Sequence, residues 1–157
     1  MKSNHEEWKK NTGETLWEVK VRKLAEDALL PEKAHEDDAG YDLFAGENLV
    51  ISPGESRLVA TGIALGLPPM TEAQIRPRSG LALHRQVTLL NTPGTIDAGY
   101  RGEIGVIMIN HGKRDFIVTK GMKIAQMVIA PVLATRITEA FDLDDTARGS
   151  GGFGSTG

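Results

Sequence analysis

Asn91-Thr92-Pro93-Gly94-Thr95-Ile96-Asp97-Ala98-Gly99-Tyr100-Arg101-Gly102 separates two apolar runs, residues 87–90 and 104–109. Both runs read as strands, which makes the stretch the tip of a hairpin. A tip that only joined two strands would need about two to five residues, and this one is far longer. Pro93-Gly94 and Ala98-Gly99 are turn signals, and a glycine at 94 lets the backbone turn sharply or approach a ligand closely. Between the turns stand one carboxylate, Asp97, and one aromatic ring, Tyr100. Two readings compete. In one, this is an irregular solvated loop with Asp97 in a turn. In the other, backbone groups read a flat ligand, Asp97 acts on a water, and Tyr100 forms a wall. The stretch alone favours the solvated loop; the other segments of the chain favour the pocket.

Working outward, short extended segments recur between turn signals. Trp17 to Arg22 alternates, with Trp17, Val19 and Val21 on one face, as a half-buried strand does. Residues 24–30 have room for a turn of helix that Pro31 ends. Residues 39–45 enter a second strand, and Ser52-Pro53-Gly54-Glu55 is a turn. Residues 58–67 form the next strand, with Ile63, Leu65 and Leu67 on one face. A short extended piece precedes Pro77, and residues 79–86 are the one convincing helical turn, with Ser79 placed as an N-cap. Residues 116–118 and 124–130 are further strands, and Pro131 marks the end of the last. Strands at intervals of about 8–12 residues predict an all-β fold, a sandwich, barrel or jelly roll, with one short helix.

The 157 residues fit one domain, and a chain of this length buries roughly 68–70% of its unfolded surface without staples. It has no cysteine, which excludes a disulfide framework and thiolate metal sites. The first residues are polar and charged, unlike a secretory signal, and no run reaches transmembrane length. The formal charge of −3 gives no general attraction to nucleic acid or anionic membrane, so neither is expected as a partner. The expected compartment is cytoplasmic. Residues 1–15 read as a disordered extension, 16–140 as the β-rich domain, and 141–157 as a flexible, glycine-rich C-terminal arm.

Chemistry has few places to sit. Arg78-Ser79-Gly80 opens the helical turn after Pro77. Free N–H groups there, a hydroxyl and a guanidinium fork suit phosphate oxygens, although an ordinary N-cap has the same residues. Gln126 shares the face of Ile124 and Val128 in an apolar strand and needs a hydrogen-bond partner, from the core or from a ligand. In the arm, Arg148 and Phe153 stand among glycines. That composition describes a disordered linker, or equally a strap whose arginine pairs with phosphate and whose ring stacks on a base. The four histidines have no ligand spacing, so no protein-built metal site is expected. Asp97 is the carboxylate best placed for chemistry, and Asp42 is second.

Taken in order, these segments resemble the five motifs of the trimeric dUTP pyrophosphatase (dUTPase) family. Ala39-Gly40-Tyr41-Asp42-Leu43 is similar to the first and Pro77-Arg78-Ser79-Gly80-Leu81-Ala82 to the second. Residues 91–105 are similar to the third, Gly121-Met122-Lys123-Ile124-Ala125-Gln126-Met127 to the fourth, and residues 148–157 to the fifth. The resemblance runs from Trp17 to the C-terminus and leaves the N-terminal extension unexplained.

It implies a jelly-roll-like subunit in a homotrimer with shared active sites, hydrolysing dUTP to dUMP and pyrophosphate. That reaction lowers dUTP and supplies dUMP for thymidylate synthesis. One chain would give the third motif, a neighbour the first, second and fourth, and the remaining chain its arm. By the same resemblance Asp97 is the general base for water attack on the α-phosphorus. Asn91, Gly94, Thr95, Ile96 and Gly105 read uracil, and Tyr100 packs on deoxyribose and excludes a 2′-hydroxyl. Arg78, Ser79, Gly80 and Gln126 hold phosphates, with Asp42 behind them. Phe153 covers the base, while Arg148, Ser155 and Thr156 clamp the γ-phosphate. Mg²⁺ arrives on the triphosphate, held by phosphate oxygens and water. Two alternatives are a dCTP deaminase of the same fold, which needs an acid/base group beside the ring, and a non-catalytic nucleotide-binding trimer.

Overall fold

A computed structural model describes residues 16–154. Its strands are β1 (Lys20–Lys23), β2 (Tyr41–Phe44), β3 (Leu49–Ile51), β4 (Ser56–Gly66) and β5 (Thr71–Arg76), followed by the helix α1 (Ser79–Arg85). Then come β6 (Val87–Leu89), β7 (Gly94–Asp97), β8 (Glu103–Asn110), β9 (Phe116–Val118) and β10 (Lys123–Pro131). Two four-stranded sheets run in the orders β1-β4-β8-β6 and β2-β10-β5-β7, and β3 pairs with β9. Every ladder between these strands is antiparallel. The expectation of a mostly β, jelly-roll-like subunit with one short helix holds.

Alternation builds the core. Along β8, Ile104, Val106, Met108 and Asn110 are buried while the residues between them are not. They join Leu43 of β2, Ile51 of β3, Ile63 of β4, Ile75 of β5 and Met127 of β10 in one buried interior to which all three sheets contribute. Each fully buried Leu, Ile or Met contributes roughly 1.5–3 kcal/mol relative to exposure. Asn110 is the most deeply buried polar residue, and it is satisfied. Its Nδ2 donates to the carbonyls of Ile51 and Arg114, both at 2.8 Å, and its Oδ1 accepts from the Gly112 N–H at 2.8 Å. That closes the turn after β8.

The central stretch is not a free loop. β6 and β8 do pair, but between them the chain crosses to the other sheet as β7 and adds itself to β5. Pairing overrides turn chemistry here, because Gly94 and Ile96 turn toward the interior and their backbone completes an otherwise open sheet edge. Four other expectations need correction. The first strand is Lys20–Lys23, and Trp17 precedes it with 62% of its surface exposed. Residues 24–30 form turns rather than helix, with Ala28 alone buried. The cap residue of α1 is Arg78, with no side-chain cap bond, and Ser79 is the first helical residue. Gln126 does not share a face with Ile124. Lys123 pairs with Phe44 and Ala125 with Leu43, so Ile124 is the extra residue of a bulge. Ile124 and Ala125 both point inward, and Gln126 turns outward with Val128.

After Pro131 the chain leaves the body. Val132 donates its N–H to the Met70 carbonyl at 2.9 Å. Residues 132–146 then have no regular structure, and all of them are exposed. The predicted contacts of Ser155 and Thr156, and the predicted extension over residues 1–15, lie outside the described residues.

Candidate active site

Four strand-borne or turn-borne segments meet at one polar cleft of about 400 Å³, lined among others by Gly40, Asp42, Arg78, Ser79, Gly80 and Gln126. The sheet register explains the meeting. Asp42 on β2 lies opposite Gln126 on β10, which lies opposite Arg76 on β5. Pro77 then turns the chain into α1, delivering Arg78 and Ser79 to the same end of the sheet.

Specific bonds fix these groups. Arg78 Nε donates to Asp42 Oδ1 at 3.1 Å, and Arg78 Nη1 to the Lys123 carbonyl at 3.4 Å. Lys123 Nζ lies 2.7 Å from Asp42 Oδ2 and 3.6 Å from Glu32 Oε1. The hydrogen bond to Asp42 holds the Lys123 ammonium above the usual lysine range. The Gln126 amide is the satisfied one that an apolar strand requires, since its Nε2 donates to the Pro77 carbonyl at 2.9 Å. Gly40 leaves room for this placement of the amide, because a Cβ there would run into Gln126 Oε1. At the rim, the His35 backbone N–H donates to Asp38 at 2.9 Å and holds that carboxyl below the usual carboxylate range. The helix start leaves its first N–H groups unpaired within the helix, and Ser79 and Gly80 are exposed there.

The third segment lies elsewhere. Asp97 ends β7 opposite Glu72, which is itself opposite Ala130. Asp97 and Gln126 are therefore on the same outward face but two strands and four positions apart, on the order of 15 Å by sheet spacings. The side chain of Asp97 is exposed. Its carbonyl accepts the Tyr100 N–H at 3.0 Å, closing the turn that carries the ring. Tyr100 OH donates to the Glu103 carbonyl at 3.1 Å. Gly102 makes that possible, since a Cβ there would stand 2.6 Å from the phenol Cζ. Glu103 is fixed in turn by its Oε1, which accepts the Gly62 N–H at 2.8 Å across the β4 bulge. Asn91 lies beside Gly94, where a Cβ would approach its Nδ2 to 3.3 Å. Thr95 is exposed, Ile96 half-buried, and Gly105 sits in β8 beneath the exposed side chain of Leu58.

One chain thus brings together Asp42, Arg78, Ser79, Gly80 and Gln126, and separately holds Asn91, Gly94, Thr95, Ile96, Asp97, Tyr100 and Gly105. The described part of the arm, residues 141–154, joins neither group. Arg148 Nε donates to the Gly151 carbonyl at 3.0 Å, and Phe153 is fully exposed. The sequence did not reveal Lys123 and Glu32 as neighbours of Asp42. Lys123 reads as part of a turn, and only the bulge beside it brings its ammonium to Asp42. Glu32 arrives through an isolated bridge with Asp42 that no periodicity announces.

Known proteins resemble this chain over most of its length. The dUTPase family profile matches residues 26–157. A deoxyuridine 5′-triphosphate nucleotidohydrolase from Gloeothece citriformis is 68% identical over 139 residues, which cover 88% of this chain and 96% of that protein. One of the same name from Clostridioides difficile is 59% identical over 142 residues, covering 90% and 99%. Among solved structures, the dUTPase of Staphylococcus bacteriophage 80alpha with dUpNHpp superposes with a TM-score of 0.84 at 28% identity, covering 89% of this chain and 98% of that one. A dUTPase from phage phi11 of S. aureus, described with a structural Mg(II) ion, superposes at 0.75 with 27% identity, covering 80% and 97%. A profile spanning most of the chain and relatives matched nearly end to end place it: this chain belongs to the dUTPase family.

Proposed function

We propose that this chain hydrolyses dUTP to dUMP and pyrophosphate at sites assembled between three copies of itself. The observation that carries the activity is the match, along nearly their whole length, to proteins named deoxyuridine 5′-triphosphate nucleotidohydrolase. The geometry supports the division of labour. A polar cleft with a guanidinium, a hydroxyl, free helix N–H groups and an amide suits a triphosphate. A carboxylate, a ring and bare backbone held at the opposite sheet edge suit a nucleoside and an attacking water. Roughly 15 Å separate the two within one chain, so a second copy brings them together. The exposed arm then comes from the third.

In the reaction Asp97 orients a water and accepts its proton as the oxygen attacks the α-phosphorus. The bond from that phosphorus to the α,β-bridging oxygen breaks, and pyrophosphate leaves. Arg78, Ser79, Gly80 and Gln126 hold the phosphates in line, and positioning with charge stabilisation supplies most of the rate in such transfers. Asn91 and the backbone of Gly94, Thr95, Ile96 and Gly105 read the uracil edges, and Tyr100 lies against the deoxyribose. Phe153, Arg148, Ser155 and Thr156 close the site and exclude bulk water.

No three carboxylate or imidazole groups among the described residues converge as a metal cage. Of the two carboxylates that line the cleft, Asp38 and Asp42, the latter is already shared by Arg78 and Lys123. In this reading Mg²⁺ is held by phosphate oxygens and water, which suits its preference for oxygen ligands. It would neutralise charge on the triphosphate. No helix of the described residues is long and apolar enough to cross a membrane, and a role in nucleotide metabolism suits the cytoplasm.

Product analysis with dUTP, dCTP and UTP in the presence of Mg²⁺ tests this reading. dUMP with pyrophosphate from dUTP is the expected result. Ammonia from dCTP would make the protein a deaminase, and binding without turnover would make it a non-catalytic nucleotide binder.

A further inference from the structure

Four charged groups cluster around Asp42, which lines the cleft together with Arg78. Asp42 is the hub, with Arg78 on one carboxylate oxygen at 3.1 Å and Lys123 on the other at 2.7 Å. Glu32 stands 3.6 Å from the same ammonium. Asp42 is the most buried of them, with 14% of its side chain exposed. Arg78 and Lys123 are each about one-third exposed, at 33% and 37%. Two local features bring Lys123 here. The β10 bulge sets Lys123 opposite Phe44, and its ammonium lies 5.8 Å from the centre of that ring. The backbone bridge between Glu32 and Asp42 brings the second carboxylate alongside.

We propose that Lys123 is a positioning residue for dUTP hydrolysis: it neutralises Asp42 and so leaves the charge of Arg78 available to the triphosphate. The inference rests on the reading of this cleft as the phosphate site. Asp42 fixes the guanidinium through Nε, but a carboxylate facing Arg78 alone would also cancel its charge. With Lys123 on its second oxygen, Asp42 holds Arg78 in place without making the pair electrically silent. Counting formal charges, Asp42 and Glu32 balance Arg78 and Lys123. Removing the Lys123 ammonium leaves a net negative cluster at a site that must receive a polyanion, and charges a few ångströms apart near a protein surface interact appreciably. The Lys123 main chain contributes separately, since its carbonyl accepts from Arg78 Nη1 at 3.4 Å and is unchanged by substitution of the side chain.

Steady-state hydrolysis by Lys123→Met, Lys123→Gln, Lys123→Arg and the double variant Asp42→Asn/Lys123→Met tests this, with Arg78→Ala alongside and thermal melts for all. Met keeps the straight stem over Phe44 and loses only the charge, while Gln is a second neutral side chain should Met pack badly. Both should raise the KM for dUTP about tenfold, as the loss of a charge-assisted interaction does, with kcat within about twofold. Lys123→Arg keeps the positive charge and should behave as the parent. The double variant removes the negative charge that Lys123 offsets, so its KM should return toward the parent value. A merely structural role for Lys123 would give no such recovery. The proposal is overturned if the neutral variants keep the parent KM, or if the double variant is no better than Lys123→Met. If Arg78→Ala raises KM and the Lys123 variants do not, only this inference falls. If Arg78→Ala also leaves KM unchanged, the cleft is not the phosphate site and both readings fall.

Discussion

Asp97 ends a strand with its side chain in solvent, and its main chain anchors the turn that carries Tyr100. The carboxylate is therefore free for chemistry while its backbone holds the turn, and an amide of the same shape should leave the fold intact. General-base catalysis contributes about 10²–10⁴ in rate. Asp97→Asn is expected to bind dUTP and to lose turnover by at least that order, as single-turnover assays and analogue titration would measure; near-normal turnover would remove Asp97 from the role of base. Tyr100 is held by its hydroxyl at the Glu103 carbonyl, which sets the ring as a fixed wall rather than a mobile one. Tyr100→Ala is expected to lower kcat/KM for dUTP and to narrow the preference for dUTP over UTP. An unchanged ratio of the two specificity constants would mean that something else excludes the 2′-hydroxyl. The residue types were readable from the sequence at both positions, because a lone carboxylate and a lone ring between turn signals are conspicuous. The bonds that fix them were not readable, since Glu103 is held from β4, some forty residues earlier in the chain.

At the scale of elements, the paired strands β2 and β10 set the polar cleft. Gly40 allows the Gln126 amide to reach Pro77, and the atom a new Cβ would meet is the far end of that flexible side chain. Gly40→Ala should therefore fold normally, displace the amide and weaken substrate binding. Loss of one hydrogen bond of about 0.5–1.5 kcal/mol corresponds to a rise in KM of roughly two- to tenfold; an unaltered KM would show that Gln126 does not act on the substrate from this position. The arm makes the opposite demand. Arg148 and Phe153 are exposed, and ordering the segment that carries them costs roughly 1–2 kcal/mol per residue in backbone entropy, which on the proposed reading contacts to bound nucleotide offset. A chain ending at Thr146 is expected to keep its thermal stability and to hydrolyse dUTP poorly; full activity would make the arm dispensable. Strand existence was legible from short apolar runs between turns. Register was not, because the bulge at Ile124 reverses which side chains face inward, and a period-two pattern carries no warning of an inserted residue. The crossing of β7 to the second sheet was hidden for a related reason, since a four-residue strand inside a glycine-rich tip has the composition of a loop.

For the whole molecule, the proposed reading turns on one separation: Asp97 on β7 stands two strands away from Gln126 on β10 within a single chain. Leu133, Ile137, Phe141 and Leu143 are exposed in the single chain, and the proposed trimer would give such apolar groups cover. Ring-forming, head-to-tail contacts join the left side of one copy to the right side of the next, which is what pairing Asp97 with a neighbour's Arg78 requires. That claim is tested most directly by complementation between two inactive variants, Asp97→Asn and Arg78→Ala. Each homotrimer should be nearly inactive. Denatured together in equal amounts and refolded, they should form mixed trimers. There, some sites combine the intact Asp97 of an Arg78→Ala chain with the intact Arg78 of an Asp97→Asn chain. With random assembly about one site in four is restored, so dUTPase activity near a quarter of the parent value is the predicted result. Mixed trimers that demonstrably form, by mass spectrometry of tagged chains, yet remain as inactive as either parent would contradict a site shared between subunits.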